Sequence, residues 1–139
     1  MYNLLNRLQK LLFIGCWLFA NSTLSNAQGT SEEMLNDMDI PLMSGLIENP
    51  EERMVFDSLE GNIINAQARG KVMAVKAYEY YRLVLPSLSW KIVEDKESNM
   101  KCEDGALYCL RAKREQENLI ILFKADEQTT IVNYSISPL

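Results

Sequence analysis

Apolar and polar residues exchange places along this chain with two different periods. Over residues 52–65, Met54-Val55-Phe56 and Asn62-Ile63-Ile64-Asn65 enclose Asp57-Ser58-Leu59-Glu60-Gly61. Two short β-prone runs around a polar break predict a β-hairpin, with Gly61 supplying the positive φ such a turn needs. Residues 71–85 carry the other period. Met73, Ala77, Tyr81, Val84 and Leu85, with Leu88 beyond them, recur three and four apart and make one apolar stripe, while Lys76, Glu79 and Arg82 fall mainly on the other side. That spacing predicts a helix over 71–85. Pro86 is expected to stop it, because proline lacks a backbone donor and restricts Leu85. Residues 66–70 are expected to be a short connector.

Past the helix the two-residue period returns. Trp90-Lys91-Ile92-Val93, residues 106–113, Leu119-Ile120-Ile121-Leu122-Phe123 and residues 130–136 read as strands, separated by polar breaks at 94–99, 115–118 and 125–128. Short strands joined by polar turns form an antiparallel meander, and a helix laid on one face of it makes an α+β sandwich. The expected fold class is therefore α+β: an antiparallel meander sheet with an N-terminal hairpin and one long helix packed on one face. Residues 28–48 show no sustained period. Pro41 holds Ile40 extended, so this stretch is expected to be an extended N-terminal arm pinned to the body by Ile40, Leu42 and Met43. The Asn49-Pro50 pair marks a turn into a single α+β domain over 49–139.

The first 27 residues read differently. Arg7 and Lys10 precede the apolar run Leu11-Leu12-Phe13-Ile14-Gly15-Cys16-Trp17-Leu18-Phe19-Ala20, and a polar stretch ends in Ser25-Asn26-Ala27. A basic start, a short apolar middle and a small-x-small exit are the three parts of a secretory signal peptide, so residues 1–27 are expected to be one, cleaved after Ala27. Ten apolar residues are too few for a bilayer core, which takes about 20. Two other readings are an uncleaved inner-membrane anchor and lipidation at Cys16, where Phe13-Ile14-Gly15-Cys16 loosely resembles a lipobox. Against the second, the apolar run continues past Cys16, and Phe13 stands where that motif prefers leucine.

Composition narrows the chemistry. The 139 residues suit one domain, and 47% hydrophobic content suffices for a core, which excludes a disordered chain. There is no histidine, so Ser-His-Asp and Cys-His arrangements and every imidazole-dependent zinc site are excluded. A net charge of −5, moving to −7 once Arg7 and Lys10 leave with the signal segment, argues against nucleic acid as a partner. No glycine-rich phosphate loop, nucleotide fingerprint or calcium-loop spacing occurs, so no cofactor or metal is expected.

Cys102 and Cys109 remain after cleavage, and in an oxidising compartment they are expected to pair. A two-residue turn at Asp104-Gly105 would leave them diagonal in a hairpin, with Cα atoms ~7–8 Å apart at the limit of disulfide reach. A wider loop would bring them opposite, so the tight turn and the bond compete; the bond is favoured. A seven-residue step is not the Cys-x-x-Cys arrangement that tunes a redox thiol.

Asp57 and Glu60 flank a turn. Paired carboxylates can perform acid–base work on glycans, but turn aspartates more commonly bond their own backbone, and Glu115 and Glu117 read as another solvated turn. Tyr81 and Trp90 are expected in the core, whereas Tyr78 and Tyr80 lie nearer its edge and are candidate ligand or partner contacts. Arg111, Lys113 and Arg114 form a basic patch, with Arg111 and Lys113 sharing one face of a strand; it is too small to suggest nucleic acid.

Tyr80-Tyr81-Arg82-Leu83-Val84-Leu85-Pro86-Ser87-Leu88-Ser89-Trp90 resembles a Phe-Tyr…Leu-Pro-x-Leu-Gly-Trp pattern of small uncharacterised exported proteins of alphaproteobacteria. Asp39-Ile40-Pro41-Leu42-Met43-Ser44-Gly45-Leu46, Val55-Phe56-Asp57-Ser58 and Arg114-Glu115-Gln116-Glu117-Asn118-Leu119-Ile120-Ile121 fit the same family. Ser89 stands where the pattern prefers glycine, and Gln116 interrupts its Arg-Glu-Gly-Glu turn. The loop holding Cys102 and Cys109 is a local elaboration. The resemblance implies an exported domain and brings no catalytic residues with it.

These readings converge on a periplasmic, non-enzymatic binding or accessory domain of the cell envelope. Its partner would be an envelope protein or a small ligand, met by the sheet face opposite the helix or by the N-terminal arm. The membrane would be touched only through the N-terminal segment, if that is uncleaved. The alternatives are a carboxylate-dependent enzyme acting on envelope polysaccharide and a domain tethered to the inner membrane.

Overall fold

The computed structural model describes residues 33–35, 37–93 and 102–139. The expected signal segment, Cys16 and the polar break at 94–99 lie outside the described residues. The compact unit is Ser31–Leu139. Its strands are β1 (Met34–Leu35), β2 (Ile40–Pro41), β3 (Leu46–Glu48), β4 (Met54–Ser58) and β5 (Gly61–Gly70), then β6 (Lys91–Ile92), β7 (Tyr108–Arg114), β8 (Glu117–Asp126) and β9 (Thr129–Pro138). Among the described residues one α-helix, α1 (Ala74–Val84), lies between β5 and β6. The α+β expectation holds: α1 packs on an antiparallel sheet that, among the described residues, has seven strands in the order β3-β5-β9-β8-β7-β6, with β4 pairing β5 on the side that β3 also occupies.

The hairpin over 54–65 forms as expected, with Ser58 opposite Gly61 and a positive φ at Gly61. Ser58 Oγ donates to the Gly61 carbonyl at 2.6 Å, closing the turn from inside. Its second arm runs further than the pattern suggested. Residues 66–70 are not a connector but the second half of β5, paired with β9 from Ile64–Ile136 to Gly70–Thr130. Ala66 and Ala68 face the core and Gln67 and Arg69 face away, so the two-residue period was there in residues with little strand preference of their own.

The helix begins three residues later than expected. Thr130 Oγ1 donates to the Val72 carbonyl, and Met73 keeps an extended backbone as the residue before the first turn. Met73 is consequently exposed instead of lying on the apolar stripe. Ala74, Ala77 and Tyr81 make that stripe. Pro86 does not stop the chain at once: the helix tightens into a 3-10 turn over Leu85–Leu88, whose second position needs no backbone donor. Ser89 ends it at φ 67° and ψ 12°, with its N–H turned back to the Leu85 and Pro86 carbonyls. A left-handed residue at this point is where glycine fits without strain.

Residues 33–48, within the stretch expected as an extended arm, are more folded than that. β1 and β2 pair as a small separate sheet, Leu35 opposite Ile40, and β3 joins the edge of the main sheet. Leu35, Met38, Ile40 and Leu42 are buried and Met43 packs against them. Fully burying an aliphatic side chain of this size contributes about 1.5–3 kcal/mol, so this segment is a structural part of the core. Arg53 holds it from outside, with Glu48 at 2.6 Å and Asp37 at 3.6 Å. β3 lies so close to the end of β5 that a Cβ on Gly70 would overlap the Gly45 carbonyl.

Candidate functional site

Strict alternation gives the sheet two unlike faces. Leu110, Ala112, Leu119, Ile121, Phe123, Val132, Tyr134 and Ile136 are buried in the core. The opposite face is half-buried. There the ladder registers build two cross-strand rows: Gln67–Asn133–Leu122–Cys109, and beside it Met54–Asn65–Ser135–Ile120–Arg111. Over these rows lies a depression of about 380 Å³, to whose lining Glu52 and Asp104 also belong.

The floor is mixed in character. Arg69 Nε donates to Gln67 Oε1 at 3.0 Å, and Gln67 Nε2 donates to Asn133 Oδ1 at 2.9 Å. This relay fixes which end of each amide accepts: Asn133 Oδ1 is engaged by Gln67, which leaves the Asn133 amino group as a donor. Ile120 and Leu122 supply apolar surface between the polar groups. Along the β6–β7 side of the same face Lys91 stands opposite Lys113, next to Arg111. The face is thus neither uniformly apolar nor uniformly charged, and it suits recognition by hydrogen bonds and short apolar contacts.

Cys102 and Cys109 form a disulfide with Cα atoms 5.6 Å apart. The bond wins over the tight hairpin: the Cα separation is that of opposed and not diagonal cysteines. Asp104 and Gly105 take positive φ, 55° and 68°, within a turn over Glu103–Gly105. Among the described residues no strand ladder closes there, β7 starting only at Tyr108. Cys109 sits on the open face opposite Leu122, so the bond anchors the loop that brings Asp104 to the depression.

The other candidates disperse. Tyr78 stacks on Tyr108 at 5.4 Å and meets Phe123 edge-on at 5.8 Å; Tyr80 meets Tyr81 edge-on at 5.0 Å. Both are half-buried against the core, and neither lines the open face. Tyr108, the stacking partner of Tyr78, does line a second depression of about 340 Å³ beside the first turn of α1. Asp57 is exposed on β4 opposite Asn62, and Glu60 is in the hairpin turn; neither lines the main depression. Arg111 and Lys113 share the open face as alternation required, whereas Arg114 turns the other way, its guanidinium 4.3 Å over the Trp90 ring and 3.0 Å from Glu117. The sequence marks Asp104 only as a turn residue and gives no sign of Glu52 or Asn133 as site residues, because only the fold brings these distant turn and strand residues together.

One buried polar pair stands apart from this face. Tyr81 Oη and Tyr134 Oη are 2.8 Å apart in the core. Desolvation by burial pushes the Tyr81 phenol up to about 12, and burial together with the neighbouring Tyr81 raises Tyr134 well above its ordinary value. Both are neutral hydrogen-bonding groups at physiological pH.

Among the described residues no group of three or more His, Cys, Asp or Glu could hold a metal ion, and no helix is long and apolar enough to cross a membrane. A disulfide-bonded pair fits an oxidising, exported compartment. No protein-family model matches the chain, and no curated protein or solved structure matches it either.

Proposed function

We propose that the protein is an exported, periplasmic binding or accessory domain of the cell envelope, non-enzymatic, which recognises its partner through the open face of the sheet. The single observation that carries this reading is the depression over the Gln67–Asn133–Leu122 row, where hydrogen-bonding amides and apolar side chains lie side by side. Such mixed concave surfaces are the usual places for a ligand or partner segment. The signal-like segment 1–27 and the Cys102–Cys109 bond support export, as does the likeness to small exported proteins of alphaproteobacteria.

The two faces can be compared in the living cell. A photo-crosslinking side chain at Leu122 reports on the open face, and one at Leu83, exposed on α1, reports on the helix side. The reading expects an adduct of reproducible mass from Leu122 that Leu83 does not give, and that Asn133→Arg abolishes. Equal labelling from both positions, or an adduct from Leu83 alone, contradicts it.

A further inference from the structure

β4 is the most exposed strand of the sheet. All five of its residues are exposed, Met54 at 52%, Val55 at 46% and Phe56 at 56%. Among the described residues its strand partner is β5, on one side. An edge strand with an unpaired side is a template for another strand, and natural proteins usually blunt it with lysine, proline or a bulge. β4 has none of the three: its only charge is Asp57, and it pairs with β5 residue for residue.

We propose that β4 joins two copies of this chain edge to edge, antiparallel, about a two-fold axis through Val55. The occupant is set by self-complementarity. In that register Val55 faces Val55 of the second copy, Met54 faces its Phe56, and Arg53 faces its Asp57. Alternation puts Arg53, Val55 and Asp57 on one side of the strand and Met54 and Phe56 on the other, so each opposed pair lies on a common face. The valine pair and the two methionine–aromatic pairs bury apolar surface that β4 now exposes. The outer ends are charge-complementary: Arg53 gains the second copy's Asp57 in addition to the Glu48 and Asp37 it already holds. Shifting the axis by one residue to Phe56 sets Val55 against Asp57 and loses both features. The contact is isologous and closes on itself, so it yields a dimer and not a filament. The axis is perpendicular to the sheet, so the two open faces continue into one surface on the same side.

The decisive test uses charges at the axis. Val55→Lys and Val55→Glu are exposed substitutions, and thermal melts check that each variant remains folded. Sedimentation velocity of the oxidised protein over a concentration series should show reversible dimerisation. Each variant alone, which sets like charges together at the axis, should weaken the dimer by at least ~10-fold. An equimolar mixture of the two should recover it, and Ile47→Lys, 73% exposed on β3, should leave it unchanged. A wild-type protein that stays monomeric up to about 1 mM overturns the proposal and leaves the edge to a strand from a different protein. A dimer insensitive to both Val55 variants, or a mixture that fails to recover, overturns it as well. None of these outcomes depends on what the open face binds, so this proposal and the proposed function fail separately.

Discussion

The Tyr81 and Tyr134 hydroxyls meet 2.8 Å apart, and Tyr81 Oη also accepts the Met43 backbone N–H at 3.2 Å. Tyr81 belongs to α1, Tyr134 to β9 and Met43 to the segment between β2 and β3, so one phenol ties three separate parts of the chain together. Each ring also packs on the other, with centroids 5.5 Å apart and planes near perpendicular.

Removing the shared hydroxyl therefore has more than a local effect. Tyr81→Phe leaves the Met43 donor and the Tyr134 hydroxyl without this partner, and should cost about 1–3 kcal/mol in urea unfolding. Tyr134→Phe keeps the Met43 contact and should cost less, about 1 kcal/mol. Hydrogen exchange separates the two variants: the Met43 amide should lose protection in the first and keep it in the second.

The same pair predicts alkaline sensitivity. Below the ordinary tyrosine value of 10 both phenols are neutral, folded or unfolded, and add no pH dependence. Above it the unfolded chain releases protons that the native state retains, up to about 12 for Tyr81 and to a raised value for Tyr134. The contribution of each is thus fully present below pH 10 and lost as pH rises above it, through about 12 for Tyr81, at roughly 1.4 kcal/mol per pH unit for each tyrosine that titrates late. Urea midpoints between pH 9 and 12 check this, and Tyr81→Phe should flatten the slope.

Ser89 occupies a left-handed conformation at the exit of the 3-10 turn. Ser89→Gly removes that backbone strain, and the added chain entropy of glycine offsets only part of the gain. A rise in stability of about 0.5 kcal/mol is expected from thermal unfolding. Gly70→Ala should act oppositely and more strongly, because its methyl would displace the Gly45 carbonyl just before β3: a loss of at least about 2 kcal/mol, or failure to fold.

The disulfide closes a small ring, so its effect on global stability is limited. Reduction, or Cys102→Ser with Cys109→Ser, should lower stability by about 2–3 kcal/mol. Hydrogen exchange should show the change concentrated in the loop carrying Asp104, and not in β8 or β9.

Most of the fold could be read from periodicity, and the exceptions have physical causes. β9 alternates Val132, Tyr134 and Ile136 with Asn133, Ser135 and Ser137, so its faces are legible, whereas β8 is apolar on both faces over Leu119-Ile120-Ile121-Leu122-Phe123 and only its neighbours decide which face is buried. The second half of β5 alternates as Ala66-Gln67-Ala68-Arg69, where alanine carries the period without the preference, and it reads as a connector. Met73 fits the helical stripe by spacing, but the Thr130 bond to Val72 belongs to another part of the chain. The site was legible only in part. An open face opposite the helix follows from alternation alone, while Glu52 and Asp104 join it through turns far apart in sequence. Tyr78 and Tyr80 were candidates by their position at the edge of the stripe, and the structure gives both of them aromatic packing partners.

The proposed export of a cleaved, disulfide-bonded domain is tested most directly by the intact mass of the native protein from fractionated cells. A periplasmic species that begins at Gln28 and gains two hydrogens on reduction is the predicted result. A full-length species in the membrane fraction, or one lipid-modified at Cys16, would contradict the free periplasmic domain and place it at the membrane surface.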